Sequence, residues 1–482
     1  MRIVFFLTLA FPLAALAQPQ PIEKDGKVVI PLAISPTAVQ KPLSRFYLTP
    51  QYVEMQPGNK VPGFLKAFME QDQFFNKENT DKRAKWDGLK LEDLPLEEIK
   101  ASGVVGGSMY RDLKKPSWQS GGGRPLSDVD EAARLLSTDW QIWFNLRRDT
   151  VGTLLPEVQK MRTLAQVLKY RMRYEIRVGD FEKAAYTART FYGMAEAFEQ
   201  HPTLIGLLVG IAIESICLNT IEEMIAQPGC PNLYWALTEI PDHVLSPRFA
   251  TQGERIFAQS MFGNILKAQG TMSNEDLARE FKQFDALAGL MGGEGGNKLP
   301  KDWGYILWAS DAKAVESARQ YLIDTGINAE SVKKFTPVQV MFMYDIRKFE
   351  VMFDESMALM SLPYPDAIPR LEKLEALLKN DKQCILAREL LPSMMNIRQT
   401  LARTQQRLAY LRVIEAIRLH AHENKGALPE KLTDIKLPLP NDPVTGKPFE
   451  YGVKDGVATL HGANANPKQA ANNRYYELRI MK

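Results

Sequence analysis

Apolar residues recur at helical spacing along most of the chain from Asp128 onward. Met161, Leu164, Ala165, Leu168 and Met172 form one such series, and Phe181, Ala184, Ala185, Ala188, Phe191, Tyr192, Ala195 and Phe198 form the next. They predict two amphipathic helices joined at Gly179-Asp180. A third helix spans residues 203–226, is apolar around most of its first three turns and stops before Pro228-Gly229, the pattern of a helix buried in the centre of a bundle. Its apolar run is broken by Glu214 after about ten residues, short of the roughly 20 that cross a bilayer, so a core helix is the preferred reading. Gly206 and Gly210, four apart on one face, leave room for a close neighbour. Further helices are predicted at residues 253–262, 274–289, 303–325 and 337–360, with Ser273 as an N-cap and Gly326 as a stop. A last long helix keeps Ile397, Leu401, Leu408 and Leu411 in heptad spacing through Thr404 and runs to about Asn424.

The texture differs at both ends. Residues 18–62 are punctuated by proline, and only Val28 to Leu32 reads as a short strand, which predicts an extended arm lying over the body. A short helix at residues 63–71 and a polar stretch at 72–85 follow, with glycine-rich loops at 117–124 and 291–296. After Gly426 turn residues dominate, and residues 449–453, 457–461 and 475–480 read as the strands of a small β-meander. Before all of this, Arg2, the apolar run from Ile3 to Ala14 and the Ala15-Leu16-Ala17 triplet have the form of a secretory signal peptide cleaved after Ala17. The expected division is therefore a signal peptide (1–17), a Pro-rich arm (18–62), a helical domain (63–393) with a hairpin at about 153–199, and a helix-plus-β unit (394–482). The fold class is mainly α.

Composition narrows the function. A chain of 482 residues with 45% hydrophobic and 24% charged residues and a net charge of +3 has the balance of a globular protein, which argues against a nucleic-acid partner. Export admits a disulfide, but Cys217, Cys230 and Cys384 are too few and too dispersed for a framework, and buried thiols are the simpler expectation. His420 and His422 point about 200° apart on a helix, so they do not make a zinc pair. Ser331 and Lys334 have S-x-x-K spacing without the companion motifs of penicillin-binding enzymes, and read as the start of a helix capped by the serine. The adjacent pairs Glu222-Glu223 and Asp354-Glu355 diverge by about 100° and read as solvated faces. Two aromatic clusters, Trp140/Trp143/Phe144 and Trp303/Tyr305/Trp308, have the residue types of a sugar or peptide groove, though core anchors are preferred. No catalytic, cofactor-binding or metal-ligating residue is assigned.

Three resemblances accompany these readings. Gly179-Asp180-Phe181-Glu182-Lys183-Ala184 is similar to the inter-helix turn of a tetratricopeptide repeat; with no second copy about 34 residues away, it implies one hairpin of solenoid type rather than an array. From about Ala409 to Met481, the layout of a helix, then Gly426-Ala427-Leu428-Pro429, Asn441-Asp442-Pro443 and Thr445-Gly446-Lys447-Pro448-Phe449, then strands, resembles the globular end of type II secretion major pseudopilins. That family can hold calcium in its C-terminal loops, which makes Asp442, Asp455, Asn464 and Asn466 an oxygen set to examine, with turn residues as the plainer explanation. More broadly, Leu154-Leu155-Pro156, Pro202-Thr203-Leu204-Ile205 and Gln227-Pro228-Gly229-Cys230-Pro231 resemble phrases of an uncharacterised family of exported proteins from planctomycete-type bacteria, which implies compartment and fold class but no activity. Together the readings point to an exported helical scaffold whose partner is another envelope or secreted protein, with no membrane span in the mature chain. The alternatives are a periplasmic hydrolase of a glycan or peptide polymer and an accessory of a secretion or pilus-like system.

Overall fold

The computed structural model describes residues 22–24, 27–69, 74–107, 109, 124–145, 156–241, 244–291, 303–380, 384–390, 392–466 and 473–481. The signal peptide, most of both glycine-rich loops, His243 and the Leu154-Leu155 phrase lie outside these residues. The protein is mainly helical with a small sheet. It forms two compact units that interleave along the chain, one drawn from residues 13–140, 155–247 and 399–482, the other from 141–154 and 248–398. Segments from both ends of the chain contribute to the larger unit.

In the larger unit, α1 (Lys60–Met69) and α2 (Arg124–Ala132) pack on the hairpin α3 (Pro156–Arg177) and α4 (Phe181–Glu199), and α5 (Leu204–Ile225) packs on both hairpin helices. The turn is set by Gly179, whose φ of 77° suits a residue without Cβ, and by Asp180, whose carboxylate caps α4 by accepting from the Lys183 N–H. The predicted amphipathic stripe of α3 does not persist. From Leu164 to Glu175 nearly every side chain is buried, including Lys169, Arg171, Arg173 and Glu175. Each of these charges finds a partner from another segment. Lys169 meets Asp87, Arg171 forms a two-pronged pair with Asp130 at 2.8 and 3.0 Å, Arg173 reaches Glu223 at 2.8 Å, and Glu175 accepts from Thr187 at 2.6 Å. Such pairing is what allows ionised groups to remain inside.

Helix α5 is long and apolar enough to cross a membrane, and 83% of its most apolar window is buried inside the fold. Its glycines accommodate side chains: a Cβ on Gly206 would fall 2.0 Å from His201 Nδ1, and one on Gly210 would meet Phe198 and Leu245 at 2.8 Å. The tightest backbone approach occurs at Gly193 on α4, where a Cβ would sit 2.2 Å from the Ala133 carbonyl oxygen. The short helix α6 (Tyr234–Thr238) closes this segment.

The proline-rich arm is more structured than its composition suggests. Strands β1 (Ile22–Lys24) and β2 (Lys27–Ile34) form an antiparallel hairpin, and β2 then runs parallel to the last strand of the chain. With β5 (Glu450–Lys454), β6 (Val457–His461) and β7 (Arg474–Ile480), they make one five-stranded sheet in the order β1-β2-β7-β6-β5. Ile30, Leu32 and Ile34 alternate inward and are almost fully buried, while Pro31 and Ala33 face out. Among the described residues β1 pairs with β2 only as far as Val29, and Pro31 pairs with Glu477 of β7. The short strands β3 (Gln56–Asn59) and β4 (Leu135–Ser137) pair separately.

In the smaller unit, α7 (Arg248–Leu266), α8 (Asn274–Met291), α9 (Trp303–Ala309), α10 (Ala312–Asp324), α11 (Pro337–Leu359), α12 (Tyr364–Asn380) and α13 (Ile385–Leu390) follow in sequence. Helix α11 is central and packs against α7, α9, α10, α12 and α13. The single helix expected at 303–325 is two, because Asp311 turns its side chain to the Lys313 and Ala314 N–H groups and starts a new helix. Ser273 accepts from the Asp276 N–H as its capping role requires. The S-x-x-K helix is capped by Asn328 rather than Ser331, whose own N–H donates to that side chain. Helix α14 (Pro392–Glu423) begins in this unit and continues into the larger one, where Tyr410 lies against Phe449 and Tyr476 of the sheet at 4.6 and 5.1 Å.

Candidate functional site

Most residue types with chemistry in this sequence serve the two cores. Trp140 is buried, donates from Nε1 to the Ala197 carbonyl at 2.8 Å and packs between Phe198 and the fully buried His201. Tyr305 is buried among Phe281, Phe342 and Trp308 and donates to Asp345 Oδ2 at 2.6 Å. Asp345 also accepts from the Leu386 N–H at the start of α13, and burial pushes its carboxyl up to about 7. Trp140 and Tyr305 are core anchors, while Trp143 is half-buried and Phe144 exposed.

Among the carboxylate pairs, Asp354 and Glu355 are exposed, and Asp354 pairs with Arg255 at 2.5 Å. Glu222 and Glu223 depart from the expected solvated face: both are buried, because basic residues of β7 and α3 reach them. The three cysteines are free and buried. Burial holds the Cys217 thiol well above its ordinary range and pushes Cys230 up to about 12, the condition of an unreactive thiol.

Asp442 is buried and its carboxylate is occupied by donors: Gln406 Nε2 at 2.8 Å, the Ala463 N–H at 2.8 Å and the Val444 N–H at 3.0 Å. Asp455 sits at the β5–β6 turn with φ 53°, and Asn464 accepts from the Asn466 N–H. Asp442 is a latch that ties the loop before β5 to α14 and to the chain after β6. Among the described residues no cluster of three or more histidine, cysteine or acidic side chains has the arrangement of a metal site.

One concave surface of the larger unit brings separate segments together. It is a groove of about 720 Å³ walled by the extended stretch after β2, the turn between α3 and α4, the loop at Gly229-Cys230-Pro231 and the C-terminal turn of α14. Arg418 lies beneath it, fully buried. Its guanidinium donates to the Ser35 carbonyl at 3.1 Å, Thr37 Oγ1 at 2.9 Å, the Cys230 carbonyl at 2.9 Å and Glu415 Oε1 at 2.6 Å. Glu415 in turn accepts from the Leu233 N–H at 2.9 Å. This buried ion pair therefore positions two of the four walls. At the rim, Arg45 pairs with Glu182 at 2.8 Å and Lys183 with Asp180 at 2.6 Å, and Val178 and His422 are exposed. The exposed Arg45–Glu182 pair contributes little to stability, so its members can exchange for the charges of a partner, whereas Asp180 is held by its capping role at α4. The turn motif, Cys230 and His422 stood out in the sequence, but their convergence did not. A local hint was the i,i+3 charge pair Glu415 and Arg418 set among the apolar residues Val413, Ile414, Ala416, Ile417 and Leu419 of α14.

Comparison of the chain with protein-family models, with curated proteins and with solved structures finds no match in any of the three.

Proposed function

We propose that the protein is an exported helical scaffold that holds a segment of another envelope or secreted protein in the groove beside Gly179-Asp180. The observation that carries this reading is the groove itself, two of whose walls are joined by the fully buried Arg418–Glu415 pair and whose rim presents the exposed Arg45–Glu182 pair. The hairpin is here of solenoid type but offers the partner its turn end. Its faces are filled, since α4 is buried along nearly its whole length and α3 over most of its second half.

The test is affinity capture of the tagged, exported protein from gently cross-linked envelopes, run in parallel for the natural chain and a Val178→Asp/Glu182→Lys variant. Both positions are exposed, so helicity and melting temperature stay unchanged. A stoichiometric protein partner recovered with the natural chain and lost with the variant supports the groove. A partner retained by the variant moves the recognition surface elsewhere. Recovery of the chain alone sinks the scaffold reading.

A further inference from the structure

The interior of the larger unit contains a second polar site, away from the groove's lining. Arg407 of α14 and Glu222 of α5 approach each other there beside Arg474 and Tyr476 of β7, Tyr192 of α4 is a further neighbour of Arg407, and Arg407, Tyr192 and Glu222 are all buried. Glu222 Oε2 is well served: Arg474 NH1 and the Tyr476 hydroxyl each donate to it at 2.6 Å. Its other oxygen is not. Among the described residues nothing donates to Glu222 Oε1, nothing accepts from Arg407 Nε or NH2, and the Tyr192 hydroxyl has no protein partner. Arg407 makes one hydrogen bond, from NH1 to the Ser215 carbonyl at 3.2 Å, and its NH2 lies 3.9 Å from Glu222 Oε2, beyond direct bonding. Burial, with the neighbouring Arg474, pushes the Arg407 guanidinium down to about 10, so it is still charged at neutral pH. An ionised group buried with most of its donors unmet is costly unless something else accepts from them.

We infer that this cluster is a built internal water site, in which bound water accepts from Arg407 and donates to Glu222 Oε1, with the Tyr192 hydroxyl as a further partner. The mixture of unmet groups selects the guest. A cation is repelled by Arg407, and a simple anion accepts from Arg407 yet has nothing to donate to the carboxylate oxygen. Water does both, and buried waters typically make about three such bonds.

The test combines crystallography and one conservative variant. In crystals of the full chain at near-atomic resolution, the expected result is an ordered density peak within about 3.2 Å of both Arg407 and Glu222, without anomalous signal after a bromide soak. A bromide peak beside Arg407 would make this an anion site and overturn the inference, as would a direct Arg407–Glu222 bond with no intervening density. Tyr192→Phe separates the cases in solution. If water bonds the hydroxyl, its removal lowers the melting temperature, by roughly 2 °C for a unit of this size. If the hydroxyl is a dry, unpaired buried group, its removal raises the melting temperature, and the site is not hydrated.

Discussion

Glu214→Gln isolates the energetic effect of burying a single carboxyl. Glu214 lies in the middle of α5, is 7% exposed, and burial alone raises its carboxyl from 4.5 to about 7. The native state therefore holds this proton more tightly than the unfolded chain does. Below about pH 4.5 both states are protonated and the site costs nothing. As pH rises from 4.5 to about 7, the unfolded chain releases its proton first and stability falls, and above about 7 the cost is constant. At about 1.4 kcal/mol per tenfold, that plateau is on the order of 3 kcal/mol. Glutamine keeps the shape and cannot ionise, so the variant matches the natural protein near pH 4 and is more stable by on the order of 3 kcal/mol at pH 8. Urea unfolding of both proteins from pH 4 to 8 measures the difference, in which all other titrations cancel. A pH-independent difference, or a variant less stable at pH 8, would refute the reasoning, since either outcome means that Glu214 is solvated or paired in the native state.

Three further outcomes are expected. Arg418→Met strands Glu415 inside without its cation and releases the Ser35 and Cys230 carbonyls, so urea unfolding should show a loss of about 3–5 kcal/mol; a loss below about 1 kcal/mol would mean that the clamp under the groove is not needed. Gly193→Ala drives a methyl onto the Ala133 carbonyl and forces the backbone to move, costing about 1–3 kcal/mol or more, whereas Gly179→Ala meets open space and pays only about 1 kcal/mol for its positive φ. Thermal melts that reversed this order would contradict the packing of α4 on the chain after α2. Added calcium should leave the melting temperature unchanged, because the Asp442 oxygens already accept from Gln406 and two N–H groups; a calcium-dependent rise would show that these donors give way to the ion.

What the sequence by itself determined is what neighbours along the chain determine. Periodicity placed α3, α4, α5 and α11, Gly179 and Asp180 marked the hairpin turn, Ser273 marked a helix start, and the apolar girth of α5 marked it as a core helix. These depend on residues three or four apart and on the conformational limits of single positions, so they can be read without a partner in view. Only the tertiary structure decided which distant groups would meet. Nothing within Val28 to Leu32 names β7 as its neighbour, because any alternating strand offers the same backbone hydrogen bonds, and the choice is made by the core that Ile30, Leu32 and Ile34 enter. Glu222 and Glu223 read as solvated from their own helix; their burial is tolerated because counter-charges, Arg474 and Arg173, arrive from elsewhere in the fold. The groove has the same origin. Its four walls come from four stretches of chain, and the energy that unites two of them sits in Arg418 and Glu415, whose worth depends on carbonyls far away in sequence.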